Sequence, residues 1–187
     1  MSYLSQSLNF ESDKIWFEEG HITFEVMMDW EHPLMSASAA YVCQNGGDIL
    51  EIGFGMGISA GYIQSHSITS HTICEVHPDI IPKAKLWAKN KPNVTIITSS
   101  WYDVRKDIGP FDGVFYDTFG DDIHKGYFSS SLSPLVKTGG VATWWNGNPS
   151  ENNNYNIPQV TYNTHSISPP ENSYFNSTVY YLPKKQF

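Results

Sequence analysis

The feature that most constrains this chain is a glycine-rich turn that directly follows a short apolar run. Residues 48–57 read DILEIGFGMG, so glycines stand at positions 53, 55 and 57. Glycine adopts positive φ at no steric cost and lets the backbone come close to a ligand. Such a turn is informative when a strand precedes it and a helix follows it. Residues 48–52 predict that strand, and residues 57–65 predict that helix.

Four further apolar runs lie along the middle of the chain, at residues 72–75, 94–98, 113–116 and 141–145. Each is nearly continuous rather than alternating, which is typical of parallel strands covered on both faces. Helix-like stretches separate them, for example residues 78–90. This order predicts an α/β fold, a Rossmann-like, doubly wound and mostly parallel sheet with right-handed crossovers.

The length of 187 residues fits a single domain over residues 1–187. Residues 14–44 look mostly helical, and we expect them to form an N-terminal helical cap over the strand ends of the Rossmann-like core, residues 48–145. Residues 146–158 contain six Asn and predict a long irregular loop. Residues 159–183 are interpreted as an antiparallel hairpin that closes the edge of the sheet.

Charge and composition exclude several classes of partner. The chain has 11 basic and 19 acidic residues, a net charge of −8, which repels phosphate backbones and disfavours nucleic acid as a partner. No apolar run reaches the length of a membrane helix, and the first ten residues lack the pattern of a signal peptide, so we expect a cytoplasmic protein. Cys43 and Cys74 lie in or beside apolar runs and are interpreted as small buried hydrophobes. The histidines do not fall at metal-ligand spacing, so no metal site is predicted.

Two acidic residues indicate which cofactor the turn binds. Glu75 ends the second predicted strand twenty residues after Gly55, where nucleotide-binding folds place a carboxylate against ribose hydroxyls. The pyrophosphate of NAD favours the spacing Gly-x-Gly-x-x-Gly, whereas this turn has Gly-x-Gly-x-Gly preceded by Glu51. The alternative is a structural turn followed by an acid that faces water.

The pattern Glu-x-Gly-x-Gly-x-Gly resembles the first motif of class I methyltransferases, which bind S-adenosylmethionine (SAM). In that resemblance Glu51 helps to hold the cationic amino-acid end of SAM, directly or through water. In that family the loop after the third strand borders the adenine of SAM, so Ser100 and Trp101 are expected to contact the base. The alternative is that Trp101 is only an aromatic residue of the core. The implied cofactor-binding residues are Glu51, Gly53, Phe54, Gly55, Gly57, Glu75, Val76, Ser100, Trp101 and Asp117.

Three more stretches narrow the resemblance. They are VMMDWEHPLM at residues 26–35, FDGVFYDTFG at residues 111–120 and TWWNG at residues 143–147. Together with the glycine turn and residues 75–79, they resemble the guanidinoacetate N-methyltransferase family and its relatives, the fungal protein arginine delta-N-methyltransferases. The resemblance returns at YYLP, residues 180–183, and leaves the choice between the two branches open.

This resemblance implies that Glu31 and Asp117 are the catalytic carboxylates and grip the guanidinium of the methyl acceptor. A planar guanidinium offers parallel N–H pairs that a carboxylate accepts bidentately. Asp117 follows the fourth strand, at the end where open α/β sheets bind ligands. The alternatives are a solvated helix acid for Glu31 and a helix or turn cap for Asp117.

The predicted function is therefore SAM-dependent methylation of a guanidino nitrogen, on a small guanidinoacetate-like molecule or a peptide arginine. The family has a helix after the fifth strand, where this chain has the Asn-rich segment, and this departure changes a part that can shape the acceptor pocket. Two alternatives stay open. One is a protein that binds or degrades SAM without transferring the methyl group, and the other is a methyltransferase for another small amine.

Overall fold

The computed structural model describes residues 2–121, 123–153 and 155–187, and leaves out Met1, Asp122 and Asn154. Its helices are α1 (His32–Val42), α2 (Ile58–Gln64), α3 (Ile81–Ala88), α4 (Trp101–Val104) and α5 (Phe128–Leu135), with short 3-10 turns at Tyr3–Ser5, Asp29–Glu31 and Lys125–Tyr127. Its strands are β1 (Asn9–Phe10), β2 (Lys14–Glu19), β3 (Ile22–Met28), β4 (Asp48–Ile52), β5 (Ser70–Cys74), β6 (Val94–Ile97), β7 (Phe111–Tyr116), β8 (Val136–Trp144), β9 (Thr161–Ser166) and β10 (Val179–Gln186).

Within the described residues, the larger sheet has seven strands in the order β6-β5-β4-β7-β8-β10-β9. Strands β6, β5, β4, β7 and β8 are parallel to their neighbours, whereas β10 runs antiparallel to β8 and β9. The prediction of a mostly parallel α/β sheet with a C-terminal antiparallel hairpin is confirmed.

The near-continuous apolar character of β4 and β7 has a direct cause in the packing. Successive residues of a strand point to opposite faces. Ile49 and Phe115 enter the core cluster on one side of the sheet, and Leu50 and Val114 enter the cluster on the other. All four are at most 1% exposed, so neither face of these central strands meets water.

The expectation of a helical cap over residues 14–44 is wrong for its first half. Strands β1, β2 and β3 form a separate antiparallel sheet, and helix begins only at His32. The physical reason is a period of two in β2, where Ile15 and Phe17 are buried with exposures of 2% and 5%. The turn at Gly20, with φ of 66°, joins β2 to β3.

The Asn-rich segment has neither helix nor strand in its described part, residues 146–153 and 155–158. Asparagine side chains bond to the backbone there, as they commonly do in turns. Asn146 Nδ2 donates to the carbonyl of Tyr181 at 2.9 Å, and Asn153 Oδ1 accepts from the N–H of Ile157 at 3.0 Å. Among the described residues, no helix is both long enough and apolar enough to cross a membrane.

Candidate active site

The order of the strands fixes where a ligand can bind. The chain runs outward from β4 through β5 to β6 and then returns to β7 on the other side of β4. A crevice opens at such a switch point, beyond the carboxyl ends of the two central strands. A cavity of about 230 Å³ lies there.

Most of the predicted site residues line this cavity. They are Glu31, Gly53, Phe54, Gly55, Glu75, Val76, Ser100, Trp101 and Asp117. Two predicted residues, Glu51 and Gly57, are not part of the wall. The cavity also has lining residues that sequence reasoning missed, among them Tyr3, Glu25, Ser59, Asp121, His124 and Tyr174.

Gly53 is required by its surroundings as well as by its backbone conformation. It has a φ of 96°, and a Cβ atom at this position would lie 1.8 Å from the carbonyl oxygen of Asp117. The N–H of Asp117 in turn donates to the carbonyl of Ile52 at 2.9 Å. The first glycine of the motif therefore allows the ends of β4 and β7 to come together, which brings Asp117 beside the turn.

Gly55 makes room for the N-terminal sheet. Its φ is 52°, and an added Cβ would lie 2.6 Å from Sδ of Met27, which belongs to β3. The same sulfur accepts a hydrogen bond from the N–H of Met56 at 3.2 Å. The β2–β3 hairpin thus packs directly on the glycine turn and forms one wall of the cavity.

Glu75 is held by the backbone around it. Its Oε2 accepts from the N–H of Phe54 at 2.9 Å, and its Oε1 accepts from the N–H groups of Val76 and His77, both at 2.7 Å. The side chain is 5% exposed. Three hydrogen bonds from backbone amides fix the carboxylate at the carboxyl end of β5 and tie it to the glycine turn.

Glu51 lies behind the cavity rather than in its wall. It is fully buried, accepts a hydrogen bond from the hydroxyl of Ser59, and lies 2.8 Å from Nε2 of His71, which is also fully buried. Ser59 itself reaches the cavity. The hydrogen-bonded route from Glu51 to the cavity therefore passes through Ser59.

Glu31 reaches the cavity from the turn between β3 and α1. It is 4% exposed, and its Oε1 accepts from the N–H of Met28 at 2.8 Å and from the hydroxyl of Tyr174 at 2.7 Å. Burial, and then the charge of Asp117, raise the pKa of Glu31 from 4.5 to about 8. No periodic pattern in the sequence identifies Tyr174, because it returns to the site from a loop 143 residues away.

Asp117 faces the same cavity from the end of β7. Among the described residues, none donates a hydrogen bond to its carboxylate. Burial, and then the charge of Glu51, raise the pKa of Asp117 from 3.8 to about 7. A raised pKa on two carboxylates that share a cavity is typical of a functional site, because the fold holds their charges without enough internal compensation.

Trp101 is mainly a core residue. It is 3% exposed, packs edge-on against Tyr116 at 5.7 Å between ring centroids, and donates its Nε1 hydrogen to Asp121 at 2.8 Å. The hydroxyl of Ser100 caps α4 by accepting from the N–H of Tyr102 at 3.2 Å. It also lies 3.1 Å from Nδ1 of His124.

The cavity is acidic. Glu25, Glu31, Glu75, Asp117 and Asp121 line it, and no Lys or Arg appears among its described lining residues. Such a wall attracts cations and repels anions.

A comparison with sequence families gives a match to the model described as guanidinoacetate N-methyltransferase, over residues 16–152. The chain is also similar to curated proteins named protein arginine N-methyltransferase 2. It is 35% identical to the one from Saccharomyces cerevisiae and 34% to the one from Aspergillus oryzae, in each case over 78% of this chain. The matches span 38% and 36% of those relatives, so the chain corresponds to little more than a third of their length.

A comparison with solved structures shows the same fold at low sequence identity. The spermidine synthase from Thermotoga maritima superposes with a TM-score of 0.65 at 14% identity, covering 96% of this chain and 72% of that one. The N-methyltransferase NodS from Bradyrhizobium japonicum gives a TM-score of 0.60 at 11% identity, covering 84% and 96%.

Proposed function

The chain belongs to the guanidinoacetate N-methyltransferase family, and we propose that it transfers a methyl group from SAM to a guanidino nitrogen. The observation that carries this proposal is the pair of carboxylates, Glu31 and Asp117, that line one cavity at the switch point of the sheet. The relatives' names, which refer to arginine methylation, support the same chemistry.

The cavity wall fits SAM as the methyl donor. Gly53 and Gly55 line the cavity, and the fixed carboxylate of Glu75 has lone pairs left for the ribose hydroxyls. Ser100 and Trp101 would border the adenine. When bound, SAM supplies a methyl group on a positively charged sulfur, and the acidic wall suits that charge.

Glu31 and Asp117 would hold the acceptor. Each carboxylate can accept two parallel N–H groups of a planar guanidinium. Because the two side chains reach the cavity from different elements, β7 and the turn before α1, they would fix which nitrogen points at the methyl group. Orientation of this kind can lower a barrier by about 7–11 kcal/mol.

Asp117 is also the candidate general base. The accepting nitrogen must lose a proton, and the raised pKa of Asp117 makes it a better proton acceptor than an ordinary aspartate. The pKa of a guanidinium lies far above that of Asp117, so the proton leaves during or after methyl transfer rather than before it.

The charge of the wall also limits the acceptor. A carboxylate close to the guanidine, as in guanidinoacetate, would find no cationic side chain among the described lining residues. The hydrogen-bond donors of the loop after β8 are also used inside the protein, since the N–H of Asn146 donates to Tyr180 and that of Asn148 to Asn146. We therefore expect the acceptor to be the side chain of a peptide arginine, or another guanidine without a nearby carboxylate.

The test is a labelling experiment with methyl-labelled SAM and four acceptors: an arginine peptide, agmatine, free arginine and guanidinoacetate. Mass spectrometry should detect labelled product with the arginine peptide or agmatine, and least with guanidinoacetate. The Glu31→Gln variant serves as the control and should lose most of the product. If no guanidine is labelled while SAM is bound or broken down, guanidino transfer is wrong. If guanidinoacetate is labelled best, only the acceptor preference is wrong.

A further inference from the structure

A series of hydrogen-bonded polar side chains runs from α2 and β5 to the wall of the cavity. Nε2 of Gln64 lies 3.3 Å from Nδ1 of His71, and Nε2 of His71 lies 2.8 Å from Oε2 of Glu51. Glu51 then accepts from the hydroxyl of Ser59, which lines the cavity. His71 and Glu51 are fully buried, and Ser59 is 2% exposed.

The direction of each hydrogen bond follows from the groups involved. The amide nitrogen of Gln64 can only donate, so Nδ1 of His71 accepts and the ring proton sits on Nε2. That proton is donated to Glu51, whose carboxylate can only accept. Ser59 must therefore donate its hydroxyl proton to Glu51 as well. Both His71 and Ser59 therefore donate to Glu51.

This arrangement decides what Ser59 can offer to a ligand. A serine hydroxyl has one proton and two lone pairs, and its proton is already used on Glu51. Toward the cavity Ser59 therefore presents only lone pairs, which accept from a donor and repel a carboxylate. Its acceptor character is strengthened because a hydroxyl that donates to a carboxylate becomes a better acceptor.

We infer that Ser59 recognises the ammonium group at the amino-acid end of the methyl donor, and that His71 and Gln64 position Glu51 for this purpose. The inference rests on the proposed function, since it takes SAM as the ligand of the cavity. It replaces the expected contact between Glu51 and that ammonium group with a contact made by Ser59.

The test compares two ligands that differ at the amino-acid end. S-adenosylhomocysteine carries the ammonium group, and 5′-methylthioadenosine lacks the whole amino-acid end. Isothermal titration of the full chain gives Kd for each ligand. In Ser59→Ala, Kd for S-adenosylhomocysteine should rise about 10-fold or more, as expected for a lost hydrogen bond to a charged group. Kd for 5′-methylthioadenosine should change less than about 2-fold.

The ratio of the two Kd values is the decisive quantity, because partial unfolding of a variant weakens both ligands equally. Ser59→Cys, which keeps nearly the same volume and hydrogen-bonds weakly, gives a second measurement if the alanine variant does not fold. Ser65→Ala, at an exposed hydroxyl just beyond the same helix, is the matched control and should leave the ratio unchanged.

The outcomes separate this inference from the proposed function. If the unmodified protein binds neither ligand, SAM binding itself is wrong. If it binds both, and substitution of Ser59 weakens both equally or neither, the role of Ser59 is overturned. A selective loss of S-adenosylhomocysteine binding supports it, whichever acceptor the enzyme methylates.

Discussion

Two pairs of carboxylates at the carboxyl ends of the strands differ in how the fold treats them. Both oxygens of Glu51 accept hydrogen bonds, from Ser59 and His71, and both oxygens of Glu75 accept from backbone amides. Glu31 accepts both of its hydrogen bonds on Oε1 alone. Glu31 and Asp117 share a cavity, and burial and neighbouring negative charge raise the pKa of both.

The difference indicates two separate roles for these carboxylates. A carboxylate whose oxygens are bonded inside the protein organises the groups around it. Glu75 holds the glycine turn through the N–H of Phe54, and Glu51 holds the side chains of Ser59 and His71. Two carboxylates that share a cavity and leave oxygens without a donor cost free energy until a cation arrives. Glu31 and Asp117 thus form the part of the site that a cationic acceptor would complete.

The largest effect should be the loss of stability caused by a substitution in the glycine turn. Gly53→Ala adds a Cβ at 1.8 Å from the carbonyl of Asp117, at a φ of 96°. Backbone strain and overpacking together should cost about 4 kcal/mol of unfolding free energy, measured by urea denaturation. Gly61→Ala is the matched control on α2, where an added Cβ meets nothing within 4 Å, and it should stabilise by about 1 kcal/mol. Equal effects of the two substitutions would contradict this account.

The second effect should be a loss of activity on substitution of Asp117, one of the two carboxylates proposed to hold the acceptor. Asp117→Asn keeps the shape of the side chain but removes its charge and its capacity as a base, so kcat/KM should fall on the order of 100-fold or more. Glu25→Gln, a change of the same kind at a partly exposed residue of the same cavity, should cost about 3-fold or less. If Asp117→Asn raises KM alone and keeps kcat, Asp117 binds the acceptor but is not the base.

The smallest effect should be a change in how stability depends on pH when Glu31 is substituted. The pKa of Glu31 is raised to about 8 in the folded protein, so its contribution to stability is full below about pH 4.5 and is lost as pH rises to about 8. Glu31→Gln removes this loss and keeps an oxygen that accepts from Met28 and Tyr174.

This variant should therefore be more stable than the unmodified protein by about 1–2 kcal/mol at pH 9, and nearly equal to it at pH 4.5. Urea denaturation at both pH values measures the difference. A gain that is the same at both pH values would mean that the charge of Glu31 is not what costs stability.

Much of the fold could be predicted because its signals are local. The turn at residues 53–57, and the apolar runs that became β4 to β8, can be recognised from a few neighbouring residues. The N-terminal hairpin was missed although its alternation is also local. Residues 14–28 directly precede a genuine helix, α1, with no breaker between them, so the sequence favours one continuous helical segment.

The residues of the site also differ in whether a local sequence signal identifies them. Glu31 and Asp117 were identified through family motifs and do line one cavity, while their roles stay predictions. The sequence suggested that Glu51 helps to hold the ligand, but the fold buries it behind Ser59. Tyr174, which bonds Glu31 from a distant loop, had no local signal.

The sequence by itself determined the central strands, β4 to β8, and the position of the glycine turn, because these depend on local apolar runs and on the backbone freedom of glycine. Only the tertiary structure decided which carboxylates are satisfied and which face the cavity. That outcome depends on donors from distant parts of the chain, such as His71 for Glu51 and Tyr174 for Glu31. Charge and hydrogen bonding are properties of the assembled surroundings, and no single stretch of sequence contains them.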